Sequence, residues 1–424
     1  MLEYIDLNYD PGDNEIVAEY YMEPSSVSFK NAAEQLAAES SIGTWTTIST
    51  MNKEIADNLR PHVFYMDEAK KLIKVAYKTD LFEPDNIPQI LSSIAGNIYG
   101  MKILNKLKLL DIQFPKAVIK AHKGPQFGVE GIRKLLKVSD RPLIGTIVKP
   151  KVGLSAKDHA EVAKQSWLGG LDVVKDDENL TSQPFNKFED RITKTLEARD
   201  QAESETGEKK IYMPNITAET EMMLGRADYV KELGGEYIMV DILTCGWSGL
   251  QTVRKHSSQV IHAHRAMHAA FTRDPHHGIS MLVLAKLARL IGVDQLHVGT
   301  ALVGKMNETT DEALFIEQEV EESQVPENKV HSMLQQDWGD IKPVFAVASG
   351  GLHPASIPPL MEKMGKDIIM QFGGGCHGHP DGTLIGAKAI RQALDATMNN
   401  IPLEKSAESN PELGKALMKW GSSV

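Results

Sequence analysis

The sequence predicts an α/β protein: a (β/α)8 TIM barrel behind an N-terminal α+β domain of ferredoxin-like form. Three observations carry this. The chain has 424 residues, too many for one small core and enough for a large barrel with an appended domain. Its texture changes near residue 123, from mixed helix and strand signals to a regular alternation of short apolar runs and helical segments. Those runs end, one after another, in titratable residues or glycines, and barrel sites are built at the C-terminal ends of the strands.

Residues 1–122 read as the α+β domain. Strand is expected over 16–22 and 71–76, and helix over 28–40, where Ala32, Leu36 and Ala37 share a stripe. The threonines and tryptophan of 43–49 favour strand. Residues 86–94 look helical, and 101–112 is a mixed apolar run.

Residues 123–424 read as the barrel. Eight strand candidates cover 143–149, 171–175, 211–215, 237–241, 260–264, 295–297, 344–349 and 368–373. Helices are expected between them, among others over 156–168, 218–233, 280–290 and 384–398. The acidic, proline-containing segment 318–328 reads as a solvated connection.

Composition excludes several classes. A formal net charge of -11 argues against a nucleic-acid binder, and an anionic substrate would need a local basic pocket. The two cysteines, Cys245 and Cys376, cannot build a disulfide framework or a thiolate zinc site, so both are expected as reduced thiols in a cytoplasmic protein. The N-terminal residues have no basic segment followed by an apolar one, and no stretch nears the roughly 20 apolar residues of a membrane span.

The densest constellation is GGLDVVKDDEN, 169–179. Strand alternation points Lys175 and Asp177 the same way, and Glu178 turns in as the strand ends. A salt-bridge cluster explains this grouping. So does a magnesium site, with a third oxygen ligand if Lys175 takes up CO2 as a carbamate. Lys149 and Lys151 flank a proline at the end of the first run, where phosphate or another oxyanion would separate their charges. His264, Arg265 and His268 follow the fifth run; Arg265 suits bidentate phosphate contact and His264 can move protons near neutral pH. Lys305 sits beside Gly304 in a segment that reads as a loop able to close over an anion, or as an ordinary surface loop. ASGG (348–351) and FGGG (372–375) end the last two runs, where backbone N–H groups can approach a phosphate.

Taken together, GGLDVVKDDEN, KPKVGLS, HRAMHA, GTALVGKM and FGGGCHGHP resemble the large subunit of ribulose-1,5-bisphosphate carboxylase/oxygenase (RuBisCO), from about residue 39 to 379. The resemblance implies Mg2+ held by Lys175 (as carbamate), Asp177 and Glu178, and addition of CO2 to an enediolate, with an oxygenase side reaction. It implies that the carbamate takes the C3 proton, that Lys149 protonates the last carbanion-like intermediate, and that Lys151 lies beside the metal and substrate oxygens. His264 would sit near the C3 hydroxyl. Arg265 and His297 would meet one phosphate, and Lys305 the incoming carboxylate. Ser349, Gly350, Gly351, Gly373 and Gly374 would supply the remaining substrate and phosphate contacts. Glu39, Thr44, Trp45 and Asn97 match residues that serve the neighbouring subunit's site, which implies a homodimer with shared sites and room for assemblies of dimers.

Val298 after His297, Met306 after Lys305, a divergent 309–340 and a short C-terminus depart from the plant pattern. They resemble the archaeal form, which implies no small subunit and a place in nucleoside monophosphate (AMP) salvage. The alternatives are a RuBisCO-like enolase or isomerase on another sugar phosphate, and a non-catalytic assembly protein on the same fold.

Overall fold

The computed structural model describes residues 3–305 and 310–422. Met306 and Thr309, named above as departures, lie outside the described residues. By internal contacts the chain forms two compact units. One holds the chain to Gly124 with Met267–Ile291 and Glu322–Ile341; the other holds Pro125–Ala266, Gly292–Glu321 and Lys342–Val424. Two segments beyond residue 122 therefore cluster with the first unit.

The first unit is built on an antiparallel sheet in which Leu104–Gln113, Glu15–Pro24, Leu72–Lys78 and His62–Asp67 lie side by side in that order. Helix Phe29–Glu39 connects the first of these in sequence to the second, and Ile87–Ile94 connects the third to the fourth. This is the ferredoxin-like order. Phe29–Glu39 buries Phe29, Ala32, Ala33, Leu36 and Ala37 on one stripe, and Ser28 caps it by accepting from Asn31 N–H. A short parallel strand, Gly278–Ile279, extends the sheet beside Leu104–Gln113. Helix Met281–Ile291 packs in the same unit, where the fully buried Lys286 Nζ lies 2.7 Å from Asp111 Oδ1.

The expectation of strand over 43–49 is wrong. The Gly43 N–H returns to Ala38 O and closes the preceding helix, and among the described residues no strand pairs with this segment. Trp45 is 82% exposed. Intrinsic β-propensity needs a partner edge and a face to bury, and neither is present here. The strand His62–Asp67 was not anticipated; an irregular register between Val63 and Tyr65 blurs its alternation.

The second unit is the barrel. Its strands are Leu143–Ile147, Val173–Lys175, Ile211–Met213, Tyr237–Asp241, Val260–His264, Gln295–His297, Phe345–Ser349 and Ile368–Phe372. Neighbours pair in parallel in that order and the eighth pairs with the first. A parallel bridge from Asn215 to Met239 links the third strand to the fourth and closes the ring. The apolar runs are buried on both faces, as a parallel sheet covered by helices requires. Helix Ala156–Leu168 falls where the sequence places it, capped by Ser155. At the N-terminal end of the ring, Leu143, Val173, Ile211, Tyr237, Val260, Phe345 and Ile369 pack with Ile132 and Leu136 of helix Gly128–Leu136. That apolar plug leaves polar chemistry to the opposite end.

Candidate active site at the mouth of the barrel

Lys175 is the last residue of the second strand and is 1% exposed. Its Nζ donates to the Asp176 carbonyl at 2.7 Å, lies 3.2 Å from Met239 Sδ and 3.5 Å from Glu178 Oε2. Burial lowers its pKa, and the carboxylates of Glu178, Asp241 and Asp177 only partly oppose that. The ammonium is thus drawn toward the neutral amine that carbamate formation requires.

Lys149, just past the first strand, donates to Asp177 Oδ2 at 2.6 Å. Lys151 Nζ stands 3.8 Å from Glu178 Oε1. Burial pushes the Asp177 carboxyl up, but hydrogen bonds from Lys149 and Asn179 outweigh it and hold the group below its ordinary value. Burial likewise raises Glu178, and the charges of Lys175 and His264 more than reverse that. His264 ends the fifth strand, with Nδ1 2.8 Å from Asp241 Oδ1 and Nε2 3.6 Å from Glu178 Oε2. Lys149, Lys151, Lys175, Asp177, Glu178 and His264 therefore form one linked cluster.

A hard divalent cation takes oxygen ligands. Among the described residues no group of three or more His, Cys, Asp or Glu side chains is placed to hold a metal ion. Asp177 and Glu178 fit such a cation only with a third anionic oxygen, and a carbamate on Lys175 Nζ supplies one beside Glu178. The donor set fits magnesium on that condition.

The other side of the mouth is made of backbone. Gly350 and Gly351 follow the seventh strand with φ of 123° and 80°. The Lys305 N–H donates to Gly350 O at 2.9 Å, which ties the segment after the sixth strand to that turn. A Cβ on Gly351 would come within 2.7 Å of Lys305 Cγ. Gly373 begins the turn after the eighth strand, with Lys149 Cε 3.3 Å from where its Cβ would be, and Gly374 faces open space. Lys305, Gly351, Gly374, Lys419 and Trp420 line a cavity of about 170 Å3. Arg265 is half-buried directly after His264. His297 ends the sixth strand, and its Nδ1 lies 2.8 Å from Ser349 Oγ.

Glu39, Thr44, Trp45 and Asn97 belong to the first unit. Asn97 Nδ2 donates to Glu39 Oε1 at 3.4 Å, so these two lie together, with Asn97 exposed.

Sequence reasoning passed over several groups around the cluster. Asp176, fully buried, accepts from Tyr212 Oη at 2.6 Å, Arg191 Nε at 3.1 Å and Asn215 N at 3.0 Å, and His159 Nε2 is 3.0 Å away. Asn215 Nδ2 also donates to the Glu178 carbonyl at 3.1 Å. Asp177 and Glu178 are thus held by a turn anchored from outside the ring. Strand alternation, which turns Lys175 inward, is the signal that Asp176 faces the helices. His262 was legible in the same way, two residues before His264.

A (β/α)8 barrel with a cationic and acidic mouth, in a chain that also carries a ferredoxin-like domain, is the class that fold and site define. The family model for the ribulose bisphosphate carboxylase large chain, catalytic domain, matches residues 128–420, and that for its N-terminal domain matches residues 3–118. The chain is 53% identical over 423 residues to a ribulose bisphosphate carboxylase of Methanosarcina mazei, covering 99% of each. It is 51% identical to the Methanocaldococcus jannaschii protein of that name, covering 99% of this chain and 100% of the other. Among solved structures, the dimeric archaeal Rubisco of Hyperthermus butylicus matches with a TM-score of 0.93 at 44% identity, over 99% of each chain. The octameric Rubisco of Pyrococcus horikoshii, solved with sulfate ion, matches at 0.91 and 48%, over 99% of this chain and 97% of that one. The chain belongs to the ribulose bisphosphate carboxylase large-chain family.

Proposed function

We propose that this chain is a ribulose-1,5-bisphosphate carboxylase that adds CO2 to the enediolate of its substrate and yields two molecules of 3-phosphoglycerate. One observation carries the reading: Lys149, Lys151, Lys175, Asp177, Glu178 and His264 converge on one end of the barrel, opposite glycine turns suited to phosphate. Relatives at about half identity over the full length bear the name of that enzyme.

Asp177, Glu178 and the carbamate of Lys175 would hold Mg2+. Bound there, the ion supplies Lewis-acid stabilisation of negative charge on substrate oxygens. The chain's own groups do the rest. A carbamate on Lys175 would take the C3 proton. His264, steered by its Nδ1 contact with Asp241, handles the proton of the C3 hydroxyl. Lys151 lies beside the reacting oxygens. Lys305 places its charge on the carboxylate formed from CO2, and O2 competes for the same step. Lys149, held at the centre by Asp177, delivers the proton to the carbanion left by carbon–carbon cleavage. Arg265 and His297 shape one phosphate end. Lys305, Ser349, Gly350, Gly351, Gly373 and Gly374 shape the rest of the substrate path.

The working unit is a homodimer without small subunits, in which Glu39, Thr44, Trp45 and Asn97 complete the partner's site; assemblies of such dimers are compatible with it. The exposure of Trp45 supports this, because a large aromatic at 82% exposure in one protomer is a natural contact surface. The N-terminal domain's own continuous segment ends at about residue 122, and Met267–Ile291 and Glu322–Ile341 cluster with it. No described helix is long and apolar enough to cross a membrane, in keeping with a cytoplasmic enzyme of nucleoside salvage.

The test is anaerobic incubation with CO2, Mg2+, ribulose-1,5-bisphosphate and labelled bicarbonate. Acid-stable label in 3-phosphoglycerate, lost on chelation of Mg2+, is expected. Exchange of the C3 proton without fixation would replace this reading by an enolase or isomerase.

A further inference from the structure

A file of polar side chains runs through the barrel interior from the plug to the mouth. Gln295 Nε2 donates to Tyr237 Oη at 3.3 Å, and Gln295 Oε1 lies 2.8 Å from His262 Nδ1. His262 Nε2 lies 2.9 Å from His297 Nε2, and His297 Nδ1 lies 2.8 Å from Ser349 Oγ. Tyr237, His262 and Gln295 are fully buried and His297 is 5% exposed. Alternation explains the placement, since His262 and His264, like Gln295 and His297, are two apart on one strand and share a face.

Elementary valence orders the protons along this file. An amide oxygen only accepts, so His262 Nδ1 carries a hydrogen. Burial pushes His262 down to about 3, and it is neutral at physiological pH. Its Nε2 is then bare and accepts from His297 Nε2–H. His297, also held neutral by burial, has a bare Nδ1 that accepts from the Ser349 hydroxyl. The single hydroxyl hydrogen of Ser349 is thereby spent, and its lone pairs are left for the barrel mouth.

We infer that Gln295 and His262 are positioning residues that fix the proton order of His297 and Ser349, so that Ser349 Oγ meets the substrate as an acceptor from a sugar hydroxyl. The identity of the hydroxyl donor rests on the proposed bisphosphate substrate; the proton order does not.

The proton order is read directly from long-range proton–nitrogen spectra of deuterated protein carrying 15N-histidine, with His262→Asn and His297→Asn assigning the two rings. His297 protonated on Nε2 alone is expected; protonation on Nδ1, or equal tautomers, overturns the inference. This readout needs no turnover, so it decides the proton order even if carboxylation is not found. Kinetics add a second measurement. Gln295→Met should lower kcat/KM for ribulose-1,5-bisphosphate about tenfold, but by under about twofold in a Ser349→Ala background, because both act through one hydroxyl. Equal losses in both backgrounds would mean packing alone and overturn it. The His297 tautomer is read with Gln295 unsubstituted, which covers the case in which Gln295→Met does not fold.

Discussion

The two sides of the barrel mouth are built from different materials. Around the second and fifth strands, titratable side chains are buried or half-buried and locked: Lys175 at 1% exposure, Asp177 bound by Lys149, His264 bound by Asp241. After the seventh and eighth strands the working surface is backbone, shaped by Gly350 and Gly351 at positive φ and by Gly373 and Gly374. The contrast matches the tasks proposed for each side. Proton transfer and cation binding need groups whose ionisation is tuned by burial and by neighbours. Phosphate binding needs several fixed N–H dipoles and little side-chain bulk. One side can be broken by changing a functional group, the other by adding a methyl.

The largest effect is expected from Lys175→Ala. Removing the amine takes away both the proposed proton acceptor and the third oxygen ligand, and Mg2+-dependent fixation should fall by at least about 10^3-fold. Full activity measured in that variant would end the carbamate assignment. Lys305→Ala should come next. Carboxylation, read as labelled product, should drop on the order of 10^2-fold, while solvent exchange of the C3 proton persists. Loss of both together would move Lys305 into enolisation or binding. On the glycine side, Gly351→Ala introduces a Cβ at φ 80° and drives it against Lys305 Cγ. A rise in KM with kcat/KM down about 10- to 100-fold is expected; unchanged kinetics would show that the turn is not in the substrate path.

A different effect, on stability, belongs to the buried histidines. Burial holds His262 at about 3 and His377 at about 4. Below an unfolded value near 6.5 the unfolded chain takes up protons that the native protein refuses, so stability falls as pH drops. The loss should begin near pH 6.5 and continue to about pH 4 for His377 and about pH 3 for His262, at up to about 1.4 kcal/mol per pH unit for each ring. Denaturant titrations across that range measure the slope. His262→Asn should flatten it, and an unchanged slope would show that other groups dominate acid unfolding.

Much of the barrel was legible. Strands Tyr237–Asp241, Val260–His264 and Gln295–His297 and helix Ala156–Leu168 fall on the residues expected from the alternation of apolar runs and helical segments. The inward residues at the strand ends were legible too, because a strand's two-residue period fixes which side chains share a face. Segment 43–49 was misread because threonine-rich sequence reports propensity and not whether a partner edge exists. Asp176 was overlooked because a carboxylate between two inward residues looks like part of their cluster. Only the packing of Arg191, Tyr212, His159 and Asn215 around it shows that it anchors the turn from outside.

The sequence by itself determined the eightfold alternation, the chemistry carried at each strand end and the family to which the chain belongs. These are local properties of residue type and spacing. Tertiary structure alone decided which groups ionise, which hydrogen bonds order them, and that Met267–Ile291 and Glu322–Ile341 join the N-terminal unit. Burial and hydrogen-bond partnership depend on residues tens to hundreds of positions apart, and closing the barrel is what brings them within reach.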